Sequence, residues 1–344
     1  MASKTYLGID IGHSMLKLAL VSKGIIRKTV LKEMPEKLMI DGRIVSIEAM
    51  GELIRTTMKE NGIRARDAAL ILSAGQAYVK NAVLPRMTEE QLRVNLPYEF
   101  RDYISEDLKQ YTYDYAMLSY PGESVRSDTE EEASDRNMEV LAAAIQTELL
   151  ESLRSMVRKA GLKLAKAAPE VSAYMPLIRA ERRRQGIPET SYEDEYCILD
   201  VGYRAIRMYM FRGDRLQVTR SLENGLDHVA GAIAEFYNVD EHLGHTYMIT
   251  DHDNCLEKEA AQNVFSNIAI ELMRAVNFYR FSNPDSQLTD LWMCGGGARI
   301  PGLVQQIRET LDLNIYNGAD LLPANPASDD AVMFVQACGI AMDD

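Results

Sequence analysis

The sequence predicts an α/β protein that is built from two related halves. An apolar run ending in Asp-aliphatic-Gly occurs twice, as Asp10-Ile-Gly12 and as Asp200-Val-Gly202. Each copy passes through a short polar turn into a second strand-like run, with a cation seven residues after the aspartate, Lys17 in one copy and Arg207 in the other. Segments with strand-like and helix-like spacing alternate in both halves, as in layered α/β folds. A duplicated hairpin unit therefore organises the chain.

Composition narrows the range of partners and environments. The chain has 344 residues, which favours two domains, and 47% of them are hydrophobic, which is enough for a buried core. A formal net charge of −13 disfavours a nucleic-acid partner, because phosphate affinity depends on excess Lys and Arg, and it suits a basic or neutral partner. Four cysteines without CxxC spacing indicate reduced thiols. We expect a soluble, cytoplasmic protein, because the sequence shows neither a signal-peptide pattern nor an apolar run near the roughly 20 residues of a membrane span.

Local patterns predict the elements of the first half. Residues 6–31 have the alternation of three strands in hairpin sequence. Ser46 is placed as a helix N-cap, and Thr88 opens a capping box with Gln91. The acidic segment Pro121–Arg136 is predicted to be a solvated hairpin loop. The other predicted elements of this half are helices Ile47–Asn61, Thr88 to about Ile104 and Gln146–Ala160, and strands Ala68–Ser73, Tyr78–Leu84, Tyr111–Leu118 and Asn137–Ala144.

The second half is predicted to follow a polar linker, Arg182–Glu195. It begins with its own hairpin unit over residues 196–221. Pro301 can start a helix, because its missing N–H is not needed in the first turn. The other predicted elements are helices Gly225–Tyr237, Leu256–Phe281 and Ala331–Ala341, and strands Leu288–Met293 and Leu313–Tyr316.

The duplicated turns have the chemistry of a phosphate clamp. Glycine permits a tight turn whose backbone N–H groups point at an anion, and Ser14 and Lys17 can add donors. Asp10 and Asp200 can hold Mg²⁺ through water. A third element, Gly295-Gly296-Gly297 between a predicted strand and a predicted helix, suits a nucleotide because bare backbone lies there at a helix N-terminus. The candidate nucleotide-binding residues are Asp10, Gly12, His13, Ser14, Lys17, Asp200, Gly202, Gly295, Gly296 and Gly297.

Four other segments, together with the three glycine motifs, resemble a known family. They are Ala74–Pro85, which ends in Leu-Pro; Met87–Ile104, which ends in Glu-x-x-x-Tyr-Ile; Ala168–Ala173; and Gln336–Ala341. Over nearly its whole length the chain resembles the type IV pilus assembly protein PilM family, which is related to the division protein FtsA. That family is part of the actin/Hsp70/sugar-kinase superfamily.

The resemblance implies an actin-like fold of two ribonuclease-H-like halves with small inserted subdomains. The first half would span residues 1–185 with an insertion at about 34–120, and the second would span 190–344 with a smaller subdomain at about 225–287. ATP and Mg²⁺ would bind between the halves. Glu170 aligns with the acidic residue that joins the halves in this family, and it is the candidate for orienting a hydrolytic water.

The resemblance also implies a scaffold at the inner face of the cell membrane. Proteins of this family bind the cytoplasmic N-terminal tail of the inner-membrane pilus protein PilN. The chain would then reach the membrane only through that partner, would contact other pilus assembly proteins and could self-associate. The tail would lie beside the inserted subdomain, because a strand edge or apolar groove suits an extended peptide. The predicted groove residues are Leu70, Leu72, Tyr78, Val79, Leu84, Leu92 and Leu96.

Two residues depart from the family pattern in the second turn. Tyr203 stands where a small residue is usual, and Ile206 stands where a hydroxyl is usual. A bulky ring can fill phosphate space and an isoleucine cannot donate a hydrogen bond, so the sequence favours a scaffold over an active ATPase. Two rival functions find less support. A sugar or metabolite kinase would need a catalytic aspartate that does not stand out, and an FtsA-like filament protein would end in an amphipathic membrane helix, whereas this sequence ends Gly-Ile-Ala-Met-Asp-Asp.

Two further clusters each allow two interpretations. One cluster has the residue types of metal ligands, but its Gly and Asn neighbours favour a turn with local hydrogen bonds. Its members are His242, His245, Asp251, His252 and Asp253. The other cluster, Arg182–Arg184, could meet acidic lipid, but the acidic residues that follow it in the linker favour a solvated segment.

Overall fold

The computed structural model describes residues 5–35, 37–40, 42–119, 137–188, 191–323 and 330–342. Within these residues, two five-stranded sheets form the framework, and a three-stranded sheet is inserted into the first half. The predicted two-half α/β architecture is confirmed. The predicted loop Pro121–Arg136 lies outside the described residues.

The first sheet has the strand order β10-β6-β1-β2-β3. Strands β1 (Thr5–Ile11), β2 (Met15–Ser22) and β3 (Ile25–Glu33) form the predicted antiparallel meander. Strands β6 (Asp67–Leu72) and β10 (Lys163–Pro169) extend the sheet in parallel on the other side of β1. A parallel pair needs a crossover connection, so helices must cover this part of the sheet.

The second sheet repeats this topology with the order β13-β12-β11-β14-β15. Strands β11 (Glu195–Val201), β12 (Ile206–Arg212) and β13 (Arg215–Leu222) form an antiparallel meander, and β14 (Asp290–Cys294) and β15 (Asn314–Asn317) add in parallel beside β11. The sequence repeat therefore reflects a duplicated sheet. Strand β14 begins two residues later than predicted.

Two helices pack on one face of the first sheet, α1 (Ile47–Glu60) and α3 (Thr147–Lys159). The predicted N-cap is confirmed, because the Ser46 side chain accepts from the Ala49 N–H at 3.2 Å. The two helices cross closely at Gly51, where a Cβ would lie 2.7 Å from a carbonyl oxygen of α3. A short hairpin, β4 (Met39–Ile40) and β5 (Arg43–Ile44), precedes α1.

The inserted subdomain lies between β6 and α3. It consists of β7 (Ala77–Pro85), β8 (Tyr111–Ser119) and β9 (Asn137–Gln146), in the order β7-β9-β8, together with α2 (Glu89–Asn95). The predicted boundaries of about 34–120 are therefore displaced. Helix α1 and strand β6 pack in the core of the first half, and strand β9, beyond residue 120, belongs to the insertion.

The helix predicted from Thr88 to about Ile104 is shorter than expected. Its start is confirmed, because Thr88 and Gln91 form both hydrogen bonds of a capping box. The α-helix ends at Asn95 and continues as a 3₁₀ turn over Leu96–Phe100. Pro97 supplies the physical reason, since proline has no N–H to donate to the carbonyl four residues earlier in the helix.

Four helices cover the second sheet, namely α5 (Leu226–Tyr237), α6 (Glu241–Thr250), α7 (Glu259–Ser282) and α8 (Pro301–Thr310). Helix α6 falls in a stretch that was predicted to be a turn. Helix α7 begins at Glu259 and not at Leu256, because Lys258 is extended, with φ of −70° and ψ of 149°, and separates the helix from the 3₁₀ turn His252–Glu257.

The two halves are joined by helices that cross between them, α4 (Val171–Gln185) and α9 (Val335–Ile340). They share one core with residues of the second sheet. Two of the contacts of α9 depend on glycine: a Cβ at Gly8 of β1 would overlap the carbonyl oxygen of Ala337, and a Cβ at Gly339 would overlap that of Ala173. The backbones therefore pack as closely as they can. The predicted final helix Ala331–Ala341 is a 3₁₀ turn followed by α9.

The interpretation of Arg182–Arg184 as part of a solvated linker is wrong for Arg182. All three arginines lie in the last turn of α4, and Gly186, with φ of 71°, ends the helix. The Arg182 side chain is 5% exposed and pairs with Asp194 through Nε at 2.9 Å. It also donates to the backbone carbonyl of Ser191. The arginine thus fastens the segment between the halves instead of being solvated.

Candidate functional site

The two phosphate-type turns have the same backbone geometry. The Gly12 N–H donates to the Met15 carbonyl at 2.9 Å, and the Gly202 N–H donates to the Ala205 carbonyl at 3.1 Å. A Cβ on either glycine would lie less than 3.0 Å from that carbonyl oxygen, at 2.9 Å and 2.8 Å. Both turns therefore need glycine, because a side chain at this position would have no space beside the carbonyl oxygen.

Lys17 and Asp10 form an ion pair at the base of the first turn. They face each other across β1 and β2, and Lys17 Nζ lies 2.7 Å from Asp10 Oδ2. Burial disfavours the charge on Lys17, but the carboxylates of Asp10 and Asp200 outweigh burial and raise the pKa of Lys17. The ammonium stays charged at neutral pH and lines the cleft between the halves. It is available to a phosphate as a charged donor.

Asp200 is the equivalent residue of the second turn, but it has a different partner. Gln336 Nε2 of α9 donates to Asp200 Oδ2 at 3.1 Å and to the Tyr174 hydroxyl of α4 at 2.7 Å. Burial raises the pKa of Asp200, and the Lys17 ammonium opposes part of that rise. The carboxyl is thus oriented by both crossing helices.

The cation of the second copy, Arg207, holds Glu170. Arg207 lies opposite Asp200 in the strand register, yet its Nη1 atom is 3.3 Å from Glu170 Oε1. The Tyr209 hydroxyl donates to Glu170 Oε2 at 2.6 Å. Burial raises the pKa of Glu170, and the Arg207 guanidinium and the Tyr209 hydroxyl oppose that rise. Each oxygen of this carboxyl has a protein partner, so the two copies of the repeat are electrostatically different.

The two departures from the family pattern have different structural roles. Ile206 is fully buried in the core of the second half, so its position serves packing. Tyr203 lies at the tip of the second turn and lines the cleft. Its ring stacks on His13 of the first turn, with centroids 5.5 Å apart. Ser14, the residue after His13, also lines the cleft.

The third glycine motif is pressed against the second turn. The chain leaves β14 and enters a 3₁₀ turn over Gly296–Arg299 before α8 begins. Gly295 has φ of 84°, and a Cβ there would overlap the Asp200 carboxylate. A Cβ on Gly297 would overlap the Val201 side chain. Both glycines are therefore required to bring this loop to the aspartate.

One cleft of about 1110 Å³ connects these elements. At its phosphate end it is lined by every candidate nucleotide-binding residue except Gly297, which is buried. At its apolar end it is lined by residues of the β4–β5 hairpin, α1, α3 and the inserted subdomain. These residues are Met39, Ile44, Ile47, Tyr78, Tyr111, Gln146 and Leu149. The cleft therefore has two ends with different chemistry.

Most of the predicted groove residues are core residues, so that prediction needs correction. Five of the seven are at most 6% exposed, namely Leu70, Leu72, Leu84, Leu92 and Leu96. The first two belong to the core of the first half, although Leu70 also lines the cleft, and the other three belong to the core of the inserted subdomain. Tyr78 is 39% exposed and lines the apolar end. Val79 packs against the core between the halves. Alternation along a strand shows that one face is buried, but it does not show which face meets a groove.

The possible metal cluster is a helix end followed by a turn. His242 and His245 lie in α6. Asp251 accepts from the Leu256 N–H at 3.0 Å, and Asp253 accepts from a tyrosine hydroxyl at 3.1 Å. These contacts confirm local hydrogen bonding. In the part of the chain that the structure describes, no group of three or more His, Cys, Asp or Glu residues is placed to hold a metal.

Sequence reasoning missed two tyrosines beneath the cleft, Tyr174 and Tyr209. Their ring centroids are 5.1 Å apart, and their hydroxyls contact Gln336 and Glu170 respectively. Arg207 and Tyr209 are two residues apart and share a face of β12, so a polar pair within an apolar strand was a usable signal. Tyr174 lies in an apolar stretch of α4 and gave none.

The fold and the cleft first define the class of protein. Two duplicated sheets, two phosphate-type turns and a glycine loop around a cleft between the halves make this an actin-like ATPase fold. The chain then belongs to a particular family, because the family model described as type IV pilus assembly protein PilM matches residues 8–344. No curated protein matches the chain significantly.

Solved structures agree with this fold. The chain is similar to a structure described as a PilM-PilN type IV pilus biogenesis complex, with 21% identity, a TM-score of 0.79 and coverage of 98% of this chain and 97% of that one. It is similar to the ethanolamine utilization protein EutJ from Carboxydothermus hydrogenoformans, with 15% identity, a TM-score of 0.58 and coverage of 97% and 88%. It is also similar to MreB5 of Spiroplasma citri bound to AMPPNP, with 11% identity, a TM-score of 0.51 and coverage of 98% and 94%. Among the residues that the structure covers, no helix has the length and apolarity needed to span a membrane.

Proposed function

We propose that this chain is an adaptor of type IV pilus assembly that holds a nucleotide at the phosphate end of its cleft and an extended peptide at the apolar end. The peptide is the cytoplasmic N-terminal tail of a PilN-like inner-membrane protein, and bound ATP tunes its affinity. The observation that carries the proposal is a single cleft with two chemically different ends. Family membership and the likeness to a PilM–PilN complex support it. The protein would then act at the cytoplasmic face of the membrane, held there by its partner.

The phosphate end fits a nucleotide. Residues of both glycine turns line the cleft, and the charged Lys17 ammonium, paired with Asp10, lines it as well and can donate to a phosphate. The glycine loop that touches Asp200 leaves bare backbone for the nucleoside. Asp10 and Asp200 would hold Mg²⁺ through water, and the metal would neutralise phosphate charge.

Binding without efficient hydrolysis is the activity that the surroundings of Glu170 favour. A residue that orients water needs a free acceptor oxygen directed at the nucleophile. Glu170 instead pairs with Arg207 and accepts from Tyr209, and it is 7% exposed. The carboxyl therefore works as an anchor between α4 and the second sheet, and the nucleotide serves as a regulator.

The apolar end fits an extended peptide. Met39 and Ile44 come from the first half, and Tyr78 and Tyr111 come from the inserted subdomain, where their ring centroids are 6.1 Å apart. Gln146 Nε2 donates to the Tyr111 hydroxyl at 3.3 Å, which places polar atoms beside the apolar surface. Such a surface can bury alternate side chains of a strand-like segment. The net charge of −13 would draw in a tail flanked by basic residues.

Calorimetry with a synthetic tail peptide of the PilN-like protein tests the proposal, with and without Mg-ATP. We expect binding whose affinity changes when Mg-ATP is present. Ile44→Asp places a charge in the apolar end and should weaken peptide binding by roughly tenfold or more. Val45→Asp is the matched control, because Val45 is the adjacent residue and is 58% exposed, so its substitution should change affinity by less than about twofold.

Two results would contradict the proposal. The first is the absence of binding heat with the tail peptide both with and without Mg-ATP. The second is an equal loss of affinity in Ile44→Asp and Val45→Asp, which would place the peptide elsewhere. Thermal unfolding of both variants shows whether each remains folded.

A further inference from the structure

The two phosphate-type turns touch each other through aromatic rings. His13 and Tyr203 are stacked, with centroids 5.5 Å apart and ring planes inclined by 5°. Tyr203 also meets the edge of His245 from α6, with centroids 4.8 Å apart. These three residues, called the ring column below, connect the first half to the second across the phosphate end of the cleft. Arg204 Nε lies 3.4 Å from His13 Nε2 and extends the connection.

On the proposed binding of a nucleotide between the two turns, the ring column would stand where the last phosphate has to lie. The proposed function places the nucleoside at the glycine loop after β14, and this loop lies against Asp200. A phosphate chain that started there would extend between the two turns, because both turns line the same cleft. The tips of those turns carry His13 and Tyr203. A longer phosphate chain therefore reaches the rings, and a shorter one ends before them.

We propose that the ring column makes the cleft selective for a nucleoside diphosphate over the matching triphosphate, with Tyr203 as the specificity-determining residue. The inference rests on the proposed nucleotide binding. A diphosphate leaves the His13–Tyr203 stack intact, whereas a triphosphate has to separate the rings and lose their contact. One aromatic pair corresponds to roughly a two- to tenfold change in an equilibrium constant. ADP should bind more tightly than AMPPNP by about that factor.

Arg204, in the same turn, would favour the opposite selectivity, for the triphosphate over the diphosphate. Its guanidinium is a cation at the phosphate end, and a cation favours a ligand with one more phosphate. However, Arg204 Nη1 lies 3.7 Å from Asp227 Oδ2, which offsets part of its charge, and its Nε meets His13. The side chain is 51% exposed, so solvent screens the remainder. We therefore expect the steric effect of the rings to outweigh the attraction of Arg204 in setting the selectivity.

Competition of ADP and AMPPNP against a fluorescent ADP analogue, with Mg²⁺ and the full chain, tests the inference. Tyr203→Ala should bring the two affinities together by improving AMPPNP binding. Tyr203→Phe is the matched control, since it keeps the ring and should keep the preference for ADP. His13→Ala should act like Tyr203→Ala, and the double variant should add little, because each single change already breaks the stack.

The outcomes separate this inference from the proposed function. If both nucleotides bind but wild type shows no preference, or if Tyr203→Ala shifts both affinities equally, the ring column is not a selectivity device and nucleotide binding stands. A wild-type preference for AMPPNP that Arg204→Ala removes would assign recognition to Arg204 and overturn the inference. If neither nucleotide binds to wild type or to Tyr203→Ala, the proposed nucleotide site fails, and the inference fails with it.

Discussion

Replacing Gly339 by alanine should destabilise the protein, although alanine favours helices. Gly339 lies in α9, where that helix crosses α4, and a Cβ there would overlap the backbone carbonyl of Ala173. A backbone atom cannot rotate away as the end of a flexible side chain can. The new methyl group therefore has to push the two crossing helices apart.

A matched control isolates the size of this effect. Gly231 is also a helical glycine, in α5, but a Cβ there would have no neighbour within 4 Å. Both substitutions gain about 0.5–1 kcal/mol from helix propensity. Only Gly339→Ala also has the overpacking cost of about 1–3 kcal/mol. The propensity gain cancels in the comparison, so the two variants should differ by about 1–3 kcal/mol in their free energy of unfolding.

Denaturant unfolding followed by far-ultraviolet circular dichroism measures this difference. The unfolding midpoint of Gly339→Ala should lie below that of wild type, and the midpoint of Gly231→Ala should lie at or above it. Gly8→Ala, which would overlap the carbonyl of Ala337, should behave like Gly339→Ala. Equal midpoints for Gly339→Ala and Gly231→Ala would refute the close crossing of α4 and α9.

Three further predictions concern buried polar and thiol groups. Arg182→Ala should cost about 3–5 kcal/mol of stability, because it leaves the Asp194 carboxylate without its buried partner. The control is Arg183→Ala at an exposed position, which should change stability by about 0.5 kcal/mol or less. Similar unfolding midpoints for the two variants would show that Arg182 is solvated. Burial raises the pKa of Asp200, so the folded protein holds a proton on this carboxyl more tightly than the unfolded chain does. The stability that this proton gives is fully present below the ordinary pKa of 3.8 and is lost as the pH rises through the raised pKa of the folded protein. Relative to Asp200→Asn, wild type should therefore lose stability over that pH range, and parallel stability–pH profiles would contradict this. Burial raises the pKa of the Cys338 thiol to about 12, and all four cysteines are buried, so DTNB should react only after unfolding; fast labelling of the native protein would disprove their burial.

Local features of the fold could be predicted from the sequence because each depends on neighbouring residues. The capping box at Thr88 and the N-cap at Ser46 satisfy backbone groups within one helical turn. The glycines of the two phosphate-type turns are required by contacts three residues away. The prediction for the groove failed for the complementary reason. Periodicity marks Leu84 and Leu92 as members of an apolar face, but it does not show whether that face meets a core or a cleft.

The sequence by itself determined the duplication, the position of both aspartates and the glycines that let the turns form. Only the tertiary structure decided which cation meets which acid. Lys17 pairs with the aspartate across its own hairpin, whereas Arg207, at the same register position, reaches Glu170 because α4 brings that carboxyl under the second sheet. The physical reason is that hydrogen bonds within a hairpin are set by spacing along the chain. By contrast, the contacts between a hairpin and a crossing helix are set by the packing of segments that lie far apart in the sequence.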